Sequence, residues 1–269
     1  MPNLTPYAER GNPDGLPVVL LHGYSDSHVS YEPLMGHLPR ELHVFAPTTR
    51  GHGDAEHVTT GYTPSDLADD VVALMDAVGI REAVVVGHSA GSFTAQQLAI
   101  DHPERVLGLV LIGAFLSGRD HPLLAEMAPV VDALTDPVDP DFVREFQEGT
   151  LAQPVPRAFL ETAIAESLKL PAAVWRAALD GMRKSEAPTA TGTIGAPTMI
   201  IWGDRDDICP LEEQAHLCAA IPDAELVVHR GAGHATHWEQ PHRAAADIAA
   251  FARRVSPRGP RRPRSAAAR

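Results

Sequence analysis

Three residues far apart in the chain have the types that acyl transfer requires: a serine, an acid and a histidine. Ser89 lies within Gly87-His88-Ser89-Ala90-Gly91. Gly-x-Ser-x-Gly between a strand and a helix makes a nucleophile elbow, a turn so sharp that the serine stands strained with its hydroxyl exposed. Flanking glycines leave room for the turn and for the close approach of the following helix. A serine hydroxyl is a weak nucleophile, so it needs a base to take its proton and a third group to orient that base. Two later loops offer both. Gly203-Asp204-Arg205-Asp206-Asp207 places three acids within four positions, just past an apolar run. Gly231-Ala232-Gly233-His234 places a histidine on a glycine-rich loop just past the next run. Residue type alone does not choose between Asp204, Asp206 and Asp207. Among the histidines, loop position favours His234. His229 falls inside an extended run and is expected to pack there, whereas His237 and His242 read as surface groups. Donors for a developing oxyanion are expected from the backbone N–H of Tyr24, in His22-Gly23-Tyr24-Ser25, and that of Ala90, next to the serine.

Short, nearly uninterrupted apolar runs must deliver these loops. They are Val18–Leu21, Leu42–Ala46, Ala83–Val86, Val106–Ile112, Thr198–Trp202 and Glu225–His229. Their β-branched character marks strands covered on both faces, as in a parallel sheet. Helices are expected between them: from Pro64 to about Val78, Ser92–Ile100, Leu211–Ala220 and Pro241–Val255. The first starts on Thr63-Pro64-Ser65-Asp66, with a capping hydroxyl, proline at the first helical position and an acid in the first turn. Strand–helix alternation of this kind predicts an α/β fold with a doubly wound, mostly parallel sheet, whose functional groups gather at the carboxyl ends of the strands. Between Gly113 and Pro197 the alternation stops. Helix-like stretches remain at Asp141–Gly149, Pro156–Leu168 and Pro171–Met182, so residues 114–196 read as a helical cap over a core formed by 1–113 and 197–255. The stretch 256–269, rich in Arg, Pro and Ala, reads as a disordered tail.

The 269 residues carry a net charge of −13. Seven arginines lie between Arg253 and Arg269 with no acid among them, which leaves the rest of the chain at −20. An acidic body repels phosphates and argues against nucleic acid as a partner. The polar N-terminal stretch lacks the basic and apolar regions of a signal peptide, and the apolar run Leu107–Leu116 is too short to span a bilayer. Two cysteines, Cys209 and Cys218, build no disulfide framework. A cytoplasmic protein without a membrane partner is therefore expected. No metal site is expected either: His-Glu-x-x-His is absent, and His234-x-x-His237 lacks a clear third ligand. Asp204-x-Asp206-Asp207 lacks the glycine and distal glutamate of a calcium loop. No glycine-rich nucleotide loop follows a strand.

With these motifs the chain resembles the serine α/β-hydrolases over nearly its whole length, and most of all their small esterases, lactonases and non-haem haloperoxidase-like enzymes. His22-Gly23-Tyr24, Arg50-Gly51-His52-Gly53, Gly87-His88-Ser89-Ala90-Gly91 and Gly231-Ala232-Gly233-His234 match in order, and Gly203-x-x-Asp206 matches the family's acid motif. The resemblance picks Asp206 as the acid, with Asp207 as the fallback. It also implies the α/β-hydrolase fold, with the cap inserted after the sixth strand, and makes Arg50–Gly53 a structural loop whose side chains tie loops together. Two departures stand out. The short N-terminus reduces the family's first hairpin to one strand around Leu4–Glu9. Ala90 stands where the haloperoxidase-like branch commonly has methionine, which weighs against perhydrolysis. The implied function is a cofactor-independent hydrolase acting on a small-molecule carboxylic ester or lactone. Phe142, Phe146, Phe159 and Trp175 of the cap are candidates to line an apolar acyl pocket. Carbon–carbon cleavage of a dione, perhydrolysis, acyl transfer or cyclisation, and a ligand receptor on the same fold are the alternatives.

Overall fold

The computed structural model describes residues 5–119 and 121–256. The expected tail lies outside the described residues apart from Ser256, as does Leu4 of the expected first strand. Seven strands form one sheet: β1 (Tyr7–Gly11), β2 (Leu16–Leu21), β3 (Leu42–Pro47), β4 (Ala83–His88), β5 (Val106–Ile112), β6 (Thr198–Gly203) and β7 (Ala224–His229). Their spatial order is β1-β3-β2-β4-β5-β6-β7. Only β1 runs antiparallel, against β3; the other pairs are parallel. The chain steps outward from β2 to β3 and then returns to place β4 on the other side of β2. This reversal opens a crevice at the carboxyl ends of β2 and β4, where His22–Ser25 and Ser89 lie.

Period-two alternation assigns each strand residue to a face. Val18, Leu20, Val84 and Val86 pack on one side, and Val19, Leu21 and Val85 on the other. The helices in chain order are α1 (Glu32–Met35), α2 (Pro64–Ala77), α3 (Ala90–Asp101), α4 (Pro122–Asp132), α5 (Pro140–Glu148) and α6 (Arg157–Ser167). They continue with α7 (Ala172–Lys184), α8 (Pro188–Thr191), α9 (Leu211–Ala220), α10 (Thr236–Glu239) and α11 (Pro241–Val255). Helices α1 and α11 cover the first face; α2, α3 and α9 cover the second. Helix α2 begins as expected, with a capping box between Thr63 and Asp66 and Pro64 in the first turn.

Between β5 and β6 the helices α4 to α7 pack with one another, with Phe93 of α3 and with Tyr24, Phe115 and Cys209 of the core loops. With the first hairpin reduced to β1, strand β5 is the one the family counts sixth, so this cap leaves the sheet where the resemblance placed it. Helix α4, not among the helices expected from the sequence, carries Pro129 inside it, a residue that opposes a helix interior. Trp175 of α7 is fully buried at the centre of the cap. It meets the rings of Tyr24, Phe142 and Phe146 nearly edge-on at 5.0–5.4 Å. Trp175→Ala should cost about 3–5 kcal/mol of stability, read as a lowered midpoint in urea-induced unfolding. Among the described residues no helix is long and apolar enough to cross a membrane.

Candidate active site

Ser89 sits between β4 and α3 with φ 52° and ψ −121°, a left-handed conformation that costs a side-chain-bearing residue about 1–3 kcal/mol. The surroundings hold it there. Its N–H donates to Ile112 O at 3.0 Å. A β-carbon on Gly87 would collide with the Gly91 carbonyl, and one on Gly91 with the carbonyls of Leu21 and His22. The two glycines thus let α3 start directly against β4 and β2. As the first residue of α3, Ala90 has an N–H with no partner inside the helix. Tyr24 follows β2 in the neighbouring loop. Its hydroxyl donates to Trp175 O at 2.7 Å, so the cap anchors its side chain.

The acid cluster resolves into distinct tasks. Asp206 is only 5% exposed, whereas Asp204 and Asp207 lie at the surface. One Asp206 oxygen accepts the N–H groups of Ile208 and Cys209, both at 2.9 Å. The other faces His234 Nδ1 at 3.0 Å. A buried carboxylate needs such donors. Asp204 instead accepts the Gly231 N–H at 2.5 Å, tying its loop to the histidine's. The two loops run so close that a β-carbon on Gly203 would strike the carbonyls of Ala232 and Gly233. With Nδ1 donating to Asp206, His234 presents Nε2 as the acceptor nitrogen. Nε2 is buried and has no hydrogen-bond partner. Ser89 and His234 line the same small cavity without a hydrogen bond between Oγ and Nε2, a looseness common before substrate tightens a site.

His234 is also held by its backbone. Its N–H and that of Ala235 donate to Thr150 O, just after α5, at 3.0 and 3.2 Å. His88 and His237 flank it, with His88 ring centroids 4.9 Å from His234 and 4.4 Å from His237. Burial and the neighbouring imidazoles push the pKa of His88 well down, and burial pushes His237 down to about 3. Both are neutral at ordinary pH. His237 is therefore a core residue, not the surface group its sequence position indicated: the short helix α10 folds it beneath the end of β4, against Tyr31. His229 packs as expected and meets Asp247 at 2.9 Å. In the Arg50–Gly53 loop, Arg50 forks onto Asp70 at 2.5 and 2.6 Å, and His52 bonds the Arg50 carbonyl at 2.9 Å.

The cavity at Ser89 measures about 40 Å³. Phe146, Leu124 and Met127 form part of its apolar wall; Asp26, Gln147 and Thr150 are polar. Of the four aromatics expected to line it, only Phe146 does. Phe142 and Trp175 stack within the cap, and Phe159 packs on Trp238 at 5.1 Å, because the cap needs its own core. A larger cavity of about 470 Å³ adjoins it, sharing Gly23, Tyr24 and Met182 and lined also by Ala90, but neither Ser89 nor His234 lines it. Asp206, Cys209 and His234 also form a trio whose ligand atoms lie within 4.8 Å of one another. Asp206 and His234 Nδ1 are engaged with each other. Burial and nearby carboxylates push the Cys209 thiol well up, so it stays protonated and is a poor metal ligand.

A model of the alpha/beta hydrolase family matches residues 18–248. The chain belongs to that family. The match runs from β2 into α11 and includes every loop described at the site. Among relatives of this family member, a 2-hydroxymuconate semialdehyde hydrolase of Pseudomonas sp. is 29% identical over 252 residues, 88% of this chain and 87% of its own. A 2-hydroxy-6-oxononadienedioate/2-hydroxy-6-oxononatrienedioate hydrolase of Cupriavidus pinatubonensis is 27% identical over 238 residues, 82% and 81% of the two chains. A thermophilic esterase from Thermogutta terrifontis superposes with a TM-score of 0.80 at 27% identity, covering 93% of each chain.

Proposed function

We propose that this alpha/beta hydrolase is a serine hydrolase of carboxylic esters or lactones with a short acyl group. The observation that carries the reading is the buried Asp206–His234 pair beside a strained serine in one cavity. Ser89 Oγ attacks the carbonyl as His234 Nε2 takes its proton. Asp206 keeps the imidazole in register and stabilises its cation. The N–H groups of Tyr24 and Ala90 receive the oxyanion, each lowering the barrier by about 3 kcal/mol. His234 then protonates the leaving alcohol and afterwards activates the water that frees the acid. No cofactor enters this cycle. A 40 Å³ chamber has room for about three waters, which favours acetyl-sized acyl groups. The free cysteines Cys209 and Cys218 support a reducing compartment, the cytoplasm.

The relatives favour a second reading. The compounds in their names contain no ester linkage, so water can open them only at a carbon–carbon bond. The same residues would serve that cleavage beside a ketone. A graded panel of p-nitrophenyl esters and lactones, run beside a vinylogous dione acid with product analysis, separates the two. The ester reading expects kcat/KM to fall at least tenfold from acetate to octanoate, with no dione cleavage. Dione turnover well above ester turnover would reassign the substrate.

A further inference from the structure

Asp26 has no part in the cycle above, yet it is the only carboxylic acid among the described residues lining the chamber of Ser89 and His234. It ends the turn that carries the Tyr24 N–H, and its own N–H closes that turn on Gly23 O at 3.3 Å. The turn is strained: Ser25 has φ 66°. What holds it comes from the cap. Gln147 Nε2 of α5 donates to Asp26 Oδ1 at 3.0 Å and to Ser167 Oγ of α6 at 2.8 Å. The second carboxyl oxygen lies 3.1 Å from where a β-carbon on Gly23 would stand, and His88 Nδ1 lies 3.0 Å from that point.

We propose that Asp26 is a positioning residue for the oxyanion loop, one that supports the reaction as a neutral carboxylic acid and blocks it as a carboxylate. This rests on the ester reading above. Neutral, Asp26 braces the Tyr24 turn against Gln147 without placing charge in the chamber. Ionised, it sets a buried negative charge two residues from an amide that must receive another, where little water screens the repulsion. The groups facing it do not cancel that charge. His88 at the end of β4 is neutral, and Tyr31 below it is buried, its hydroxyl given to Leu21 O at 2.9 Å. From the loop after β7, His234 is committed to Asp206 at 3.0 Å and exerts only the smallest of the opposing pulls on the Asp26 carboxyl. Helix α5 contributes only the uncharged Gln147. Helix α6 contributes Ser167 and Glu166, whose carboxylate meets Lys169, just past the helix, at 2.7 Å; Lys169 also meets Asp54 at 2.8 Å. In keeping with this, burial pushes the Asp26 carboxyl up to about 7, against smaller opposing pulls from the Gln147 hydrogen bond, the Gly23 backbone hydrogen bond and His234.

The test is the pH dependence of kcat and KM for p-nitrophenyl acetate between pH 5.5 and 9, with Asp26→Asn and Gln147→Leu beside the wild type. Wild-type kcat should fall above neutrality, towards about tenfold per pH unit, with KM little changed. Asp26→Asn should lose this alkaline fall whatever its absolute rate. Gln147→Leu removes a donor to the carboxylate and should move the fall to higher pH; it decides the matter if Asp26→Asn does not fold. A thermal-unfolding readout needs no activity. The folded-state pKa of Asp26 is raised, so its stabilising share is intact at low pH and is lost as pH rises through about 7. The Tm of Asp26→Asn relative to wild type should therefore climb between about pH 4 and 7 and level off above. An alkaline limb unchanged in the folded variants overturns the role of Asp26 alone. Absence of Ser89-dependent ester turnover in the wild type overturns the ester reading instead.

Discussion

Ser89→Ala should lower kcat for the best ester by about a million-fold, to the level left by oxyanion donors and binding alone. The same variant should escape labelling by a fluorophosphonate that modifies the wild type stoichiometrically. The expectation follows from the elbow. The strained backbone at Ser89 (φ 52°) is held by contacts of Gly87 and Gly91 that the substitution leaves in place. The variant should therefore keep its fold, and its loss should be a loss of bond-making. Equal labelling of the two proteins would remove Ser89 from the chemistry.

Asp206→Asn should lower kcat by about ten-thousand-fold, while Asp204→Asn stays within a few-fold of wild type. An amide at residue 206 still fills the space and can still accept the N–H groups of Ile208 and Cys209. Towards His234 it can present an N–H where the carboxylate presented an acceptor. The imidazole then turns its donor tautomer towards Ser89 and loses the charge that balanced its cation. Asp204 makes a surface tie to the Gly231 N–H, which helps to place the loop and touches no reacting group. Steady-state kinetics on one ester decides between the two acids, and a larger loss at Asp204 would exchange their roles.

The sheet was legible because β-branched runs such as Ala83–Val86 pack on both faces, and that environment leaves a local mark. The serine and histidine were legible because glycines crowd the turns that present them. The acid was less so: Asp204, Asp206 and Asp207 share one composition, and their tasks divide only when the loop after β7 arrives and takes Asp204 with Gly231 and Asp206 with His234. Asp26 left no local sign at all. A lone acid in a polar loop looks solvated until Gln147, 121 positions away, covers it. The cap aromatics misled for a related reason. A stack of Phe142, Phe146 and Trp175 can face a cavity or itself, and sequence spacing does not distinguish the two. Helix α4, also not expected from the sequence, carries Leu124 and Met127, which wall the chamber.

Thr150 contributes no side chain to the proposed chemistry, yet its carbonyl receives the amides of both His234 and Ala235, and the carbonyl of Trp175 receives the phenol of Tyr24. The roof is thus stitched to the base on one flank and to the anion receptor on the other. A change at Thr150 O or at Trp175 O would therefore be passed through the cap to both flanks of the chamber.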